Sequence, residues 1–312
     1  MLQMLNDYVR RLAAGWNQFW FKPADGAGLA VMRILVGSLL FYSHLVWTLE
    51  LPTFFSESGV LPSAYRSQLP GGAYWAWSHF DVSNSAAWMY GTHCVALVVF
   101  LLFTVGLWTR VASILAALFV ISYANRATGA LFGMDQICAF VTLYLAVGNS
   151  GQAFSLDRWW KNKKSAAGQG RADEKLITNN IAIRLIQIHL CIVYLFAGLG
   201  KLQGVSWWNG EAIWGALASY EYQTLDLTWM ADHMWLVNLL TFVAVAWEVS
   251  YCCLVWPKLS RPFVLLLALF VHLGIGMAMG MMTFGLIMIF GNLAFVPPEW
   301  FRRLVPFPRG EG

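Results

Sequence analysis

Charge is the scarcest thing in this sequence. Only 12% of its 312 residues are Asp, Glu, Lys or Arg, whereas soluble domains carry about a quarter. So few charges cannot cover a water-soluble globule, which argues against an ordinary soluble enzyme. Cysteine is present but unorganised. Cys94, Cys138, Cys191, Cys252 and Cys253 lie in or beside apolar segments, with neither a CxxC nor a metal-ligand spacing, so buried thiols and no disulfide framework are expected. No cleavable signal peptide is expected either, since Arg10 and Arg11 sit on an amphipathic segment and the first long apolar run contains Arg33. GxSxG, P-loop, GxGxxG and HExxH motifs are all missing. The six histidines (His44, His79, His93, His189, His233, His272) show no helical pairing suited to a haem or di-metal site. We therefore expect no metal, and no nucleic-acid partner. No internal repeat is visible, which ranks an inverted-repeat transporter last.

What fills the sequence instead is apolar. Hydrophobic residues make up 59% and aromatics 16%, the mean hydropathy is +0.58, and several apolar runs approach 20 residues, the length that crosses a bilayer. The fold class expected is an all-α polytopic membrane protein of about eight spans. These run over about 27–48, 86–108, 111–123, 130–148, 176–202, 234–256 and 263–296. The last is too long for one crossing at about 1.5 Å per residue and is split near Gly280. Before them, Leu5, Tyr8, Val9, Leu12, Trp16, Phe19 and Trp20 fall on one face of residues 4 to 20, with Asn6, Asp7, Arg10, Arg11 and Gln18 on the other, as in a helix lying in the membrane interface. We read one domain: an interfacial helix over 1–24, a membrane core over 25–298 and a basic tail over 299–312.

Two connections are rich in aromatics. Residues 50 to 85 hold Phe54, Phe55, Tyr65, Tyr74, Trp75, Trp77 and Phe80, and residues 204 to 233 hold Trp207, Trp208, Trp214, Tyr220, Tyr222 and Trp229, as interfacial caps do. The stretch from Asp157 to Lys175 is polar and basic and reads as a mobile loop. With eight spans and the amino terminus inside, fifteen cations fall on the cytoplasmic side (Arg10, Arg11, Lys22, Arg110, Arg158, Lys161, Lys163, Lys164, Arg171, Lys175, Lys258, Arg261, Arg302, Arg303, Arg309) and three outside (Arg66, Arg126, Lys201). Positive charge accumulates inside, so both termini are expected in the cytoplasm of a cell (inner) membrane protein, with Lys201 and both aromatic connections on the outer side.

The span from residue 176 to 202 is the most informative. At about 100° per residue, Asn180, Arg184, Gln187, Cys191, Tyr194, Gly198 and Lys201 share one face, with His189 opposite. Such a stripe turns to a bundle interior or a cavity, because polar groups in hydrocarbon are costly. It reads equally as interior packing with a snorkelling lysine. Lys201, at an apolar helix end under aromatic connections, loses hydration, and a neutral amine there is a usable base. The plainer alternative is an ordinary interface lysine. His272 interrupts an apolar run and reads first as a satisfied interior group. Arg33 needs an acceptor, for which Asp135 and Glu248 qualify by type; Glu248 could equally neutralise Arg184. The GxxxG spacing of Gly276 and Gly280 reads as close helix packing, and Met277, Met279, Met281 and Met282 as core filling or as the lining of a lipid or quinone groove.

Ile192-Val193-Tyr194, Ala197-Gly198, Lys201-Leu202 and the downstream Trp208 and Gly210 resemble the membrane domain of vitamin K-dependent γ-carboxylases. That domain also defines their bacterial relatives, the horizontally transferred transmembrane (HTTM) family. Further features keep the same order: Arg33 in span one, a turn with Gly106, Leu107 and Arg110, Glu248 with Ser250, Ser260-Arg261 and His272. The resemblance covers roughly residues 25 to 298. It implies Lys201 as catalytic base, with Glu248 and His272 as further catalytic candidates, acting on a reduced quinone of the vitamin K hydroquinone type. Oxygenation of that quinone yields a stronger base, which takes a proton from a glutamate γ-carbon so that carbon dioxide adds. Tyr194, Trp207, Trp208 and Arg184 are then candidate quinone-binding residues, and Arg33 and Asp135 interior charge partners. The implied partners are membrane lipids, a quinone and a protein or peptide substrate. The sequence departs from the pattern in having Gly200-Lys201 where the family enzyme has two lysines and Met134 where the animal enzyme has a histidine. It also ends soon after Pro298, so substrate recognition is expected to differ from that of the animal enzyme. A non-catalytic lipid- or quinone-binding module, or a subunit that needs a partner, stands as the alternative reading.

Overall fold

The structure is a computed structural model that describes residues 1–66, 68, 76–164 and 175–304. Tyr74, Trp75, Arg171 and Arg309, named above, lie outside the described residues. The architecture is all-α, that of a polytopic membrane protein. Its main helices are α1 (Leu2–Phe21), α2 (Ala27–Trp47), α3 (Ala86–Val105), α4 (Thr109–Arg126), α5 (Gly133–Val147), α6 (Leu156–Lys164), α7 (Ile177–Lys201), α8 (Met234–Leu254), α9 (Arg261–Ala278) and α10 (Met282–Asn292).

A helix thus stands at each of the eight expected spans. Among the described residues, five helical stretches are long and apolar enough to cross a membrane: Ala27–Phe55, Ala86–Val105, Ile177–Lys201, Thr228–Leu254 and Arg261–Ala278. Gly133–Val147 and Met282–Phe295 are apolar but shorter. The long run after Phe263 divides where expected: Gly280 takes φ +68°, a left-handed conformation that L side chains rarely adopt. Gly280 is therefore a turn residue, and of the Gly276/Gly280 pair it is Gly276 that serves the close helix packing expected of both. A Cβ on Gly285 would run into the carbonyl of His272, and one on Gly276 would meet Met282. Those two glycines let α9 and α10 lie backbone to backbone.

The chain divides into two compact units, Met1–Leu185 with Val296–Gly312, and Ile186–Phe295. In the first, α2 to α5 pack around Leu29, Val36, Phe100, Phe103, Tyr123 and Leu145. Helix α1 leaves Leu5, Tyr8, Val9, Leu12 and Trp16 exposed, the apolar face of an interfacial helix. Its end is held where Asn180 Nδ2 donates to the carbonyls of Phe19 and Trp20 at 2.6 and 2.9 Å. The stretch from Asp157 is not simply a loop. Leu156–Lys164 is helical, and the Asp157 carboxylate accepts from the N–H groups of Trp108 and Thr109 and from the Thr109 hydroxyl, capping the start of α4. Burial raises the Asp157 pKa, but these hydrogen bonds outweigh it and hold the carboxyl below its ordinary value.

Arg33 is fully buried and donates through Nη2 to the carbonyl of Phe154 at 2.5 Å. It has no bond to Asp135, whose carboxylate instead accepts the N–H of Phe132 at 2.9 Å at the start of α5. The expected charge pair is therefore replaced by a backbone acceptor and a helix cap. Short polar groups at helix ends satisfy free N–H donors, and that local demand takes Asp135.

Candidate functional site

Within the second unit, Gly198 decides where α7 meets α8. A Cβ there would lie 3.0 Å from the backbone nitrogen of Val249 and 3.2 Å from Cβ of Glu248. The missing side chain allows the helices to touch, and that approach delivers the last residue of α7, Lys201, to Glu248. Lys201 Nζ donates to both carboxylate oxygens, at 2.8 and 2.6 Å. The lysine side chain is 26% exposed and the glutamate 12%. A cation also suits this position, because a helix carboxyl terminus carries partial negative charge. The ammonium lies 5.3 Å from the ring centroid of Trp207, a cation–π distance.

The connection after α7 folds over this pair. Trp207 sits in the short helix Val205–Trp208. The helix Ala212–Leu217 is tied to α8 by Ile213 N–H to the buried Thr241 hydroxyl, 3.3 Å. Thr224 binds the end of α9, its hydroxyl donating to Met277 O at 2.7 Å and its N–H to Ala278 O at 3.2 Å. Beneath lies an open cavity of about 530 Å³, within the range of small-ligand sites, roughly 300–1,000 Å³. Its walls include Ile213, Met230, Val243, Phe270, Ile275 and Phe284; among the described residues, Lys201 and Glu248 are the two charged side chains that line it.

His272 is placed elsewhere in the same unit. On α9 the residues that line the cavity are Leu267, Phe270, Val271, Gly274, Ile275 and Ala278, and at 100° per residue His272 falls outside that face. Its Nε2 is 2.8 Å from the Tyr194 hydroxyl. Asn292 Nδ2 donates to that hydroxyl oxygen at 2.9 Å, and Tyr251 donates to Asn292 Oδ1 at 2.6 Å. The Tyr194 ring lies against Trp247 and Tyr251, with centroids 4.9 and 4.1 Å away. The Tyr194 oxygen thus accepts from Asn292 and lies within hydrogen-bond distance of His272 Nε2. His272 Nδ1 is buried, with no hydrogen-bond partner among the described residues.

The expected residues thus separate. Lys201, Glu248 and Trp207 share the cavity; Tyr194 and His272 share the buried network. Trp208 is 64% exposed and uses its indole N–H on Leu202 O at 2.8 Å. Arg184 lies in the first unit, its Nε donating to Phe19 O at 3.2 Å and its guanidinium 4.3 Å from the Phe19 ring centroid. Glu248 neutralises Lys201, not Arg33 or Arg184. The shared face of α7 is real: Asn180, Gln187, Cys191 and Tyr194 are all buried.

Sequence reasoning missed Tyr251 and Asn292. A lone amide in an apolar run was the available signal for Asn292, and Tyr251 lies one helical turn after Glu248. It also missed a second cluster, in the first unit. There His44, His79 and His93 surround Tyr123, with ring centroids 4.5, 5.1 and 6.0 Å away. His93 Nδ1 is 2.7 Å from the Tyr123 hydroxyl and its Nε2 2.8 Å from Thr48 Oγ1. These histidines come from three different elements, so no spacing announces them.

Comparison with known families matches residues 21–300 to the HTTM domain. No curated protein and no solved structure shows significant similarity to the chain.

Proposed function

The chain belongs to the HTTM family, with a membrane domain related to that of the γ-carboxylases, and from that premise we propose a quinone-dependent, carboxylase-like membrane enzyme with Lys201 as its base. One observation carries this reading: a 530 Å³ apolar chamber whose charged lining is Lys201 and Glu248. The apolar walls suit the ring and tail of a reduced quinone drawn from the bilayer, and the pair stands where its hydroxyl would arrive. As observed, Lys201 is engaged by both Glu248 oxygens, which favours the ammonium. Transfer of one proton to Glu248 leaves a neutral amine beside a neutral acid, and the amine then accepts the hydroxyl proton. Trp207 stands beside the amine, its ring centroid 5.3 Å from Nζ. Oxygenation of the quinol supplies the stronger base needed for a glutamate γ-proton, and carbon dioxide adds to the carbanion. The charge asymmetry across eight spans supports a cell-membrane location with both termini cytoplasmic and Lys201 outside.

The test is incorporation of labelled carbon dioxide into a glutamate-containing peptide by the purified protein in proteoliposomes, with menadiol and oxygen. Wild type should incorporate label and Lys201→Ala should not. Label incorporation by Lys201→Ala at the wild-type rate would remove Lys201 as the base. The same ion pair favours a second reading, a non-catalytic quinone- or lipid-binding module, because an ammonium has no lone pair to offer. That reading gains if menadiol binds and no label is incorporated under any condition.

A further inference from the structure

Resting on neither the cavity nor any catalysis there, we infer that helix α6 is a docking element for anionic phospholipid. Its aromatic face enters the headgroup region beside the turn between α3 and α4, and its lysines hold the phosphate. The depth of the helix is fixed by where its first turn is bonded. Asp157 accepts from the N–H groups of Trp108 and Thr109 at 2.9 and 2.7 Å, and its own N–H donates to the carbonyl of Gly106 at 3.0 Å. Just ahead of the helix, Phe154 O accepts from the buried Arg33 at 2.5 Å. Gly106, Trp108 and Thr109 belong to the turn that ends the apolar helix α3 and starts α4. Helix α6 therefore begins where a helix apolar enough to cross the membrane leaves the bilayer. Trp108, in that turn, is itself exposed.

The faces of α6 suit that depth. At 100° per residue, Leu156, Trp159, Trp160 and Lys163 fall within one arc of about 100°, and all four are exposed. Two neighbouring tryptophans and a leucine on an exposed face are poorly placed in bulk water. They suit a bilayer interface, where amphipathic rings collect. The Lys163 ammonium lies 5.2 Å from the Trp159 ring centroid, so cation and ring reach the same layer. Charge then chooses among lipids. Residues 156–164 hold Arg158, Lys161, Lys163 and Lys164 against Asp157 alone, and the Asp157 carboxylate is committed to the start of α4. A cationic surface at the interface attracts anionic headgroups and gains little from zwitterionic ones. Helix α1 has an exposed apolar face too, but there Asp7 offsets part of the charge of Arg10 and Arg11.

The experiment uses the full-length protein in a non-ionic detergent, titrated with dioleoylphosphatidylglycerol or dioleoylphosphatidylcholine, and counts bound lipid by native mass spectrometry. Wild type is expected to bind the anionic lipid at least about fivefold more tightly, the gain of roughly one lysine at a charged interface. Lys161→Gln with Lys163→Gln should bring the anionic lipid down to the zwitterionic level and leave the zwitterionic lipid unchanged. Lys163→Gln alone should lose part of the preference, which decides the matter if the double variant does not fold. Trp159→Ala with Trp160→Ala should weaken both lipids. Arg10→Gln with Arg11→Gln, which removes two cations from α1, should keep most of the preference. Equal binding of the two lipids by wild type overturns the inference and leaves the face of α6 to a protein partner. A preference that survives the two lysine changes overturns it as well. So does one lost equally on changing Arg10 and Arg11, because the positive face as a whole is then responsible. Competition by glycerol 3-phosphate at the concentration of the lipid overturns the lipid as occupant and leaves a soluble anion. None of these outcomes bears on the cavity between α7, α8 and α9.

Discussion

The carbonyl of His272 on α9 occupies the space into which a side chain on Gly285 of α10 would project. Gly285→Ala therefore forces the helices apart at the level of the Tyr194–His272 network, and we expect a loss of about 1–3 kcal/mol, the usual range for overpacking. At Gly91, in the second turn of α3, no other segment among the described residues comes within 4 Å of where a methyl group would stand, so Gly91→Ala should be neutral or stabilising by up to about 1 kcal/mol. Thermal unfolding in detergent compares the two. Equal effects would mean that α9 and α10 have room to part at this contact.

Lys201 and Glu248 should behave as a coupled pair. Lys201→Met or Glu248→Leu alone leaves one charge unpaired in a largely apolar chamber and should cost on the order of 3 kcal/mol, while the double change should recover most of it. A double-mutant cycle on unfolding midpoints measures the coupling. Additive losses would show that solvent already screens the pair.

The Tyr251–Asn292–Tyr194–His272 chain should be directional. Tyr251→Phe removes the donor to Asn292 Oδ1 and leaves a buried amide oxygen unsatisfied, at a cost of about 1–3 kcal/mol. The Tyr251 ring also packs against Tyr194, and phenylalanine keeps that contact. Adding Asn292→Leu to Tyr251→Phe should therefore cost much less than the sum of the two single changes.

Acid should loosen the connection before α3 ahead of the rest of the first unit. His79 is buried, its Nδ1 2.5 Å from Ser122 Oγ and its backbone N–H donating to the same oxygen at 2.7 Å. Desolvation pushes its pKa down from 6.5 to about 4. A depressed histidine pKa means that the fold favours the neutral ring. Its contribution is complete above about pH 6.5, declines as pH falls below that value, and is lost as pH passes through about 4, amounting at most to roughly 3 kcal/mol. Amide exchange at His79 should accelerate over that interval, and His79→Gln should flatten the dependence. Exchange that stays constant from pH 7 to 4 would refute it.

Sequence and structure agree best where a single helix suffices to make the argument. The stripe from Asn180 to Lys201 is legible because helical periodicity fixes which residues share a face, whatever the neighbours are. The break at Gly280 is legible because an apolar run longer than a bilayer must turn, and glycine tolerates the turn. The amphipathic Leu2–Phe21 helix follows from the same periodicity. Asp135 shows the opposite case. Residue type makes it a partner for Arg33, but a free N–H at the start of its own helix is closer and claims it.

Composition and periodicity alone determined that this is an all-helical membrane chain, with a lysine at the end of a polar stripe and aromatic connections beside it. Low charge and long apolar runs admit few other folds. Only the tertiary structure decided that Lys201 meets Glu248, 47 residues away, while His272 meets Tyr194 instead of the cavity. Those pairings depend on how closely helix backbones approach at Gly198 and Gly285, and on the rotation of each helix about its own axis. Both are set by packing against neighbours, and no local stretch of sequence encodes them.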